Sequence, residues 1–299
     1  METTSPHMAS TAAMQPPLEL DPHTFRMQFP RRPFLIDHNL ADHPLFAVSR
    51  LLELAKTLPE NCVEYNEGRI SADMGGRLSP RNGLSAEETI RRIEEAHSWM
   101  VLKFVENEPE YRSLLDACLD QVRDLSDTIV PGMCQREAFI FLTSPQSVTP
   151  FHVDPEHNFL LQIRGEKQVS IFDADDTAVV TEADIERGLL GKNRNLVYKP
   201  EFQARGKTFD LIPGKGLHFP IAAPHWVKNG NEVSISFSIT FRSRDSQRRA
   251  IVRQFNSVLR ERGLQPRPLG FSPLADTLKY FSYRAMRRTR QVFQSSKQA

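Results

Sequence analysis

The sequence predicts a mainly β protein, either a sandwich or a closed barrel, with an α/β region before the barrel and helices after it. From about residue 136 to 243, short runs with β-type alternation follow one another, separated by Gly, Pro, Asn or Asp. Before these runs, strand-like and helix-like patterns are mixed. After Arg244 the apolar residues return to helical spacing.

The composition is that of an ordinary globular chain. It has 299 residues, of which 39% are hydrophobic and 25% are charged, enough for one large barrel with helical additions. No apolar run approaches the roughly 20 residues of a membrane helix, and the first residues lack the layout of a secretory signal. We therefore expect a cytoplasmic protein without a membrane span. The chain has three cysteines, Cys62, Cys118 and Cys134. Their odd number and wide spacing argue against a disulfide framework or a zinc site.

The chain divides by pattern into successive regions. In the α/β region, Ser85 and Glu88 have the spacing of a capping box before an expected helix, TIRRIEEAHSWM. A leader of small polar residues is expected to be disordered. The predicted regions are a leader (1–20), an α/β region (21–134), a barrel (135–243) with an insert (174–206), and basic C-terminal helices (244–299).

The charge is unevenly distributed. The formal net charge of the chain is +1, yet the residues from Arg242 onward carry +11 and the preceding residues carry −10. A basic tail on an acidic body could contact nucleic acid, an anionic membrane surface or the acidic body of a second subunit. Charge alone does not choose among these partners.

One motif has the residue types of a metal site. His152 and Asp154 are two residues apart in a β-type run, so both side chains leave the same face of the strand. A mononuclear Fe(II) oxygenase needs two His and one carboxylate on one side of the metal, with other positions open. His225, at the start of a later short strand, is the best candidate for the second His. The alternative is that a lone His-x-Asp pair is structural, because a His in a β-rich core is more often a hydrogen-bonded core residue.

The next two runs predict a pocket. Arg164 and Gly165 are interpreted as the two-residue turn of a hairpin. That register makes one face apolar with a few polar groups, as in a small-molecule pocket, and a Lys there needs an anion to offset its burial. The side chains expected on this face are Asn158, Leu160, Gln162, Lys167, Val169 and Ile171.

These residues carry a family resemblance. The stretch TPFHVDPEHNFLLQIRGEKQVSIF resembles the core of the JmjC-type 2-oxoglutarate oxygenases, especially the branch of the asparaginyl hydroxylase that modifies hypoxia-inducible factor. The later stretch GKGLHFPIAAPHWVKNGNEVSISFSITF is similar to the closing segment of the family. The resemblance implies a double-stranded β-helix, the jelly-roll or cupin fold. It also implies an Fe(II) site with three ligands, His152, Asp154 and His225.

The resemblance also assigns the co-substrate contacts. Lys167 would pair with the distal carboxylate of 2-oxoglutarate, Thr149 would donate a hydrogen bond to it, and Asn158 would hold its other end. Ser238 aligns where the branch carries an Asn on its last barrel strand. His157 and His218, by contrast, are interpreted as structural or pocket-lining residues.

The implied activity is hydroxylation with O₂ as second co-substrate, first of a peptide or protein side chain and next of a small metabolite. Relatives dimerise through C-terminal helices, so we expect a homodimer and rank nucleic-acid binding below it. Two other functions stay open: a catalytically silent metal-binding cupin, invited by Ser238, and a metal-dependent cupin isomerase or lyase. The presence of Lys167 and Thr149 favours the oxygenase over both.

Overall fold

The computed structural model describes residues 15–75, 77–188 and 195–295. Twelve β-strands lie in this part of the chain: β1 (Leu18–Glu19), β2 (Phe34–His38), β3 (Val63–Glu67), β4 (Ser98–Lys103), β5 (Met133–Thr143), β6 (Val148–His152), β7 (His157–Arg164), β8 (Lys167–Ile171), β9 (Lys207–Leu211), β10 (Lys215–Phe219), β11 (His225–Asn229) and β12 (Ser234–Ser243). The same residues include seven α-helices: α1 (Pro22–Gln28), α2 (Val48–Thr57), α3 (Ala86–Arg91), α4 (Pro109–Ser126), α5 (Glu182–Gly188), α6 (Arg244–Glu261) and α7 (Pro273–Ser295).

The strands form two antiparallel sheets that face each other. The large sheet has the order β1-β2-β10-β7-β12-β5-β4-β3 and the small sheet the order β6-β11-β8-β9. Leu160 of the large sheet and Val169 and Ile171 of the small sheet belong to one buried cluster between them. The predicted fold class is confirmed: a mainly β double-stranded β-helix, with an α/β N-terminal region and C-terminal helices.

The hairpin predicted between β7 and β8 is wrong. In the large sheet β7 pairs with β10 and β12, whereas β8 pairs with β11 and β9 in the small sheet. Gly165, with a φ of +67°, lies where the chain passes from one sheet to the other. The residues of β7 are buried on both faces up to Ile163, so their pattern does not indicate a partner strand. The expected pocket face is therefore divided between two opposed strands.

The large sheet continues from the barrel into the N-terminal region. β1 and β2 join it through β10, and β3 and β4 join it through β5. The boundary predicted at residue 134 stays a prediction, and the sheet extends across it. Residues 1–14 of the predicted leader lie outside the described residues. At residues 18 and 19 the leader is instead a strand, because Leu18 is buried and pairs with His38.

The capping box forms, but its helix is shorter than expected. Ser85 Oγ accepts from the backbone N–H of Glu88, and the Glu88 carboxylate accepts from the N–H of Ser85. The helix ends at Arg91, and residues 98–103 form β4. Pairing with both β3 and β5, which buries Met100, outweighs the helical spacing of this segment.

Helices cover the outer face of the large sheet. Phe25 of α1, Leu54 of α2 and Leu119 of α4 share one apolar core with Phe159 of β7 and Phe237 of β12. This core holds the large sheet rigidly behind the barrel interior. Each of these side chains is fully buried, and burial of one such side chain contributes about 1.5–3 kcal/mol.

The insert covers the outer face of the small sheet. Phe172 and Phe151 pack with Tyr198 and Phe202 of the insert. Its helix α5 is tied to α6 by a two-bond ion pair from Arg253 to Glu182. Residues 189–194 of the insert lie outside the described residues. None of the described helices is both long and apolar enough to cross a membrane.

Candidate metal centre

Two imidazoles and one carboxylate meet at one end of the barrel. His152 ends β6, Asp154 follows it, and His225 begins β11 directly opposite His152. The Nε2 atoms of His152 and His225 lie 3.8 and 3.7 Å from Oδ2 of Asp154. One ligand atom of each residue lies within 4.8 Å of the others. Ligand atoms about 2.1 Å from one first-row metal ion are about 3–4 Å apart, so these donors fit a shared ion.

The backbone orients both imidazoles. Nδ1 of His152 lies 2.7 Å from the carbonyl oxygen of Pro150, and Nδ1 of His225 lies 3.0 Å from that of Ala223. Because a carbonyl only accepts hydrogen bonds, each Nδ1 is the protonated nitrogen and each Nε2 keeps its lone pair facing Asp154. Burial and the neighbouring His152 lower the pKa of His225 to about 4. This ring is therefore neutral near pH 7, as a ligand must be.

A β-bulge places Thr149 on the ligand face. His225 is opposite His152, and Val227 is opposite Thr149. A step of two residues along β11 is therefore matched by a step of three residues along β6, which is a β-bulge in β6. Residues directly opposite one another in an antiparallel pair point to the same side. Thr149 therefore faces the interior with His152, although simple alternation along β6 would place it on the other face.

Lys167 lies deeper in the same barrel. In the pairing of β8 with β11, Ile171 is opposite His225 and Lys167 is opposite Asn229. These two pairs are four residues apart, which places Lys167 about 13 Å along the strands from His225. The side chain of Lys167 is buried, and none of the described residues forms an ion pair or hydrogen bond with it. Burial lowers the pKa of Lys167 to about 7. A buried lysine of this kind fits a ligand that brings its own negative charge.

Asn158 and Ser238 complete the predicted set. They lie on neighbouring strands, β7 and β12, and the Ser238 hydroxyl donates a 2.8 Å hydrogen bond to Oδ1 of Asn158. Both side chains are buried. The structure thus brings His152, Asp154 and His225 together, and it places Thr149, Lys167, Asn158 and Ser238 on the strands that line the barrel interior.

Two further residues at the site were not predicted. Asn229 is buried opposite Lys167, and its amide donates to Oγ1 of Thr143. Its position, four residues after His225 in the same strand, is the sequence signal that places it on the ligand face. Asn195 pairs with His152 on the other edge of β6, and its amide donates to the carbonyl of Arg77. The insert and the loop after β3 therefore meet beside the metal centre.

His157 and His218 are structural or line a cavity, as predicted. His157 and His218 face the helical side of the large sheet, where both pack on the ring of Phe29. Burial lowers the pKa of His157 to about 4 and that of His218 to about 3, so both are neutral near pH 7. Arg242 forms an ion pair with Glu156.

Comparison with known proteins defines the class of this fold and site. The family described as cupin-like domain matches residues 29–258. The chain belongs to this family, and the predicted resemblance to cupin-fold proteins is confirmed.

Solved structures share the fold. The structure of ycfD from Escherichia coli superposes with a TM-score of 0.53 at 16% identity, covering 90% of this chain and 68% of that one. YcfD of Escherichia coli, a ribosomal oxygenase solved with cobalt and 2-oxoglutarate, superposes with a TM-score of 0.50 at 15% identity, covering 90% and 67%. Lysine-specific demethylase 8 of Danio rerio is 29% identical over 101 residues, which is 32% of this chain. The match spans only 24% of that relative's length.

Proposed function

We propose that this protein is an Fe(II)- and 2-oxoglutarate-dependent dioxygenase that hydroxylates a side chain of a peptide or protein. The observation that carries the proposal is the pairing of two features in one barrel. Donor atoms of His152, Asp154 and His225 converge on one point, and Lys167 is buried deeper on the same lining without a partner among the described residues. A metal ligand set alone would not require a buried lysine.

Each side chain has a role in this proposal. His152, Asp154 and His225 would hold Fe(II), which with 2-oxoglutarate and O₂ would supply the oxidising chemistry; one oxygen atom would enter the hydroxylated product, and the other would enter succinate as CO₂ leaves. Lys167 neutralises the distal carboxylate, and Thr149 donates a hydrogen bond to it. Asn158, held by Ser238, contacts the co-substrate nearer the metal. Apolar side chains between these groups, such as Leu160 and Val169, exclude water.

A protein substrate is preferred to a small metabolite. The structural neighbour YcfD is described as a ribosomal oxygenase, and the relative in Danio rerio is described as a lysine-specific demethylase. These descriptions name a ribosomal and a lysine target, and the first protein was solved with cobalt and 2-oxoglutarate. Cobalt stands in for iron because it accepts the same nitrogen and oxygen ligands.

Anaerobic titration of the Fe(II)-loaded protein with 2-oxoglutarate tests the proposal. The expected result is a weak visible charge-transfer band that is absent in His152→Ala and needs far more co-substrate in Lys167→Ala. Iron binding without the band would overturn the oxygenase and favour a cupin isomerase or lyase. A band without succinate formation, with a library of peptides present under O₂, would favour a silent metal-binding cupin.

We also propose a homodimer formed through α7. Four apolar side chains in α7 or within two residues of its start are more than half exposed: Phe271, Leu274, Leu278 and Phe281. The last three have the spacing of one helix face, and an exposed apolar stripe is typical of an interface. Sedimentation should show a dimer that Leu278→Glu with Phe281→Glu dissociates. Leu264→Glu, also at an exposed leucine but before α7, should leave the dimer intact.

We infer a cytoplasmic location. Cys62, Cys118 and Cys134 are all free, which fits a reducing compartment. Cell fractionation tests this, and recovery with secreted or membrane fractions would contradict it.

A further inference from the structure

A cavity of about 1080 Å³ lies beside the candidate metal centre. Pro155, Ala222 and Ala223 form part of its wall. The N–H of Ala222 donates to the carbonyl of Asp154, and the carbonyl of Ala223 accepts from the ring of His225. The cavity therefore shares its wall with the backbone that positions two of the three proposed ligands, although none of those ligands lines it.

One end of the cavity is basic. Residues 28–33 and the start of α6 meet there, and four arginines line this end: Arg31, Arg32, Arg249 and Arg253. Arg253 is paired with Glu182. The other three form no ion pair with any acid in the described part of the chain. Asp245, one turn before Arg249 on α6, also lines the cavity. Three unpaired arginines and one carboxylate leave a net positive charge at this end, which an anionic ligand can neutralise.

His157 lies in the wall at this end. Its side chain is held between the rings of Phe29 and Phe241 and is only 3% exposed. Its Nδ1 has no hydrogen-bond partner among the described residues. This atom is closed to the cavity as well as to solvent, and burial lowers the pKa of His157 to about 4, so the neutral ring adds no charge to this end.

We propose that this cavity is the docking groove for an acidic segment of the polypeptide substrate. A carboxylate of that segment is held by Arg31, Arg32 and Arg249. The inference rests on the proposed oxygenase function, because it assigns the groove to that enzyme's substrate. The groove would hold the chain that flanks the residue placed at the metal.

The carboxylates of the lining favour a polypeptide over a nucleic acid. Asp173 and Asp175 line the far side together with Arg205 and Lys207, and Asp245 lies at the basic end, at the start of α6. Carboxylates at both ends would repel a continuous phosphate backbone, whereas a peptide needs negative charge only at one position. Phe172 lines the cavity but is buried, so it offers no exposed face for base stacking.

Fluorescence anisotropy with three labelled probes tests the groove. The probes are a short peptide of alternating Glu and Gly, its Lys and Gly counterpart, and an oligothymidylate of similar length. The Glu peptide should bind the wild-type protein and the Lys peptide should not. Affinity for the Glu peptide should fall about tenfold or more in Arg31→Glu with Arg249→Glu, because both charges at the basic end are reversed.

Arg262→Glu is the matched control. Arg262 is exposed, does not line the cavity, and follows the last residue of α6. It should retain affinity for the Glu peptide. If Arg262→Glu lowers the affinity for the Glu peptide as much as the double variant does, the binding reflects general charge attraction and the proposal is overturned. Tighter binding of oligothymidylate, or equal binding of the two peptides, would overturn it as well.

The charge-transfer titration separates this inference from the proposed function. Arg31→Glu with Arg249→Glu should form the Fe(II)–2-oxoglutarate band normally, because neither residue lines the metal centre. If this double variant loses affinity for the Glu peptide but still forms the band, the groove is assigned to binding of the acidic segment. An intact band with no Glu-peptide binding in the wild-type protein rejects the groove and keeps the oxygenase. Glu-peptide binding without any band rejects the oxygenase, and the groove then binds acidic peptides but is not the substrate groove of an oxygenase.

Discussion

The hydroxyl of Ser238 donates a hydrogen bond of 2.8 Å to Oδ1 of Asn158, on the neighbouring strand of the large sheet. This bond occupies the oxygen of the Asn158 amide and leaves its NH₂ group to donate to a ligand. Ser238 thus has a definite structural role at the position where the resembling branch carries an asparagine. We expect this bond to fix the orientation of Asn158 toward the co-substrate.

Ser238→Ala should weaken 2-oxoglutarate binding about three- to tenfold, the usual value of one neutral hydrogen bond, with metal affinity unchanged. Ser236→Ala is the control, because Ser236 lies two residues away and donates to Gln162 instead. It should lower the free energy of unfolding without changing co-substrate affinity. Calorimetric titration measures both variants. Equal affinity in Ser238→Ala and the wild-type protein would contradict the assigned role of Asn158.

Co-substrate affinity should depend on the protonation of Lys167. Burial lowers its pKa to about 7, so the free protein loses the positive charge as the pH rises above about 7. A dianionic ligand binds the protonated form, and its affinity should therefore fall with rising pH, by at most about tenfold per pH unit. Without ligand, the unfolded chain binds the extra proton between pH 7 and 10.5, so the free energy of unfolding should rise with pH over that range.

Lys167→Arg supplies the control for this pH profile. Arginine keeps its charge throughout the range, so the profile of the variant should be flat even where its affinity is lower. His225, with a pKa of about 4, does not titrate in this range. A wild-type profile as flat as that of Lys167→Arg, measured by titration at several pH values, would contradict an anion-binding role for the Lys167 ammonium.

Metal binding should stabilise the fold. An ion that binds the folded chain at about one hundred times its dissociation constant adds about 2.7 kcal/mol to the free energy of unfolding. Thermal unfolding with Mn(II), which resists oxidation, should show a Tm that rises with metal and returns after chelation. His225→Ala should not respond, because it loses one of the three donors. The same rise in His225→Ala would place the ion elsewhere.

The sequence was sufficient to predict the cluster of His152, Asp154 and His225, but not all of the barrel lining. His152 and Asp154 are two apart, and alternation alone places them on one face. Thr149 is three residues from His152, and only the bulge in β6, which the local pattern does not indicate, turns it inward. The prediction that β7 pairs with β8 was wrong for a similar reason. Its residues are buried on both faces, so burial gave no register, and a Gly suited to a turn also suits a crossing between sheets.

Gly165 should be essential to the position of Lys167. Its φ of +67° is unfavourable for an L-residue, and a Cβ at this position would lie 2.5 Å from the carbonyl oxygen of Val233. Gly83 is a matched control, because its φ is +78° and nothing lies within 4 Å of its Cβ position. Gly83→Ala should cost only the conformational term, about 1–2 kcal/mol.

Gly165→Ala should lower the free energy of unfolding by more than Gly83→Ala, because the clash with backbone adds to the conformational term. It should also weaken 2-oxoglutarate binding, since relief of the clash moves the start of β8, where Lys167 is the first residue. Denaturant unfolding and co-substrate titration measure the two effects separately. Equal destabilisation by the two substitutions, with normal co-substrate affinity, would show that the crossing between the sheets tolerates a side chain and that Lys167 is positioned by β11 and β9 alone.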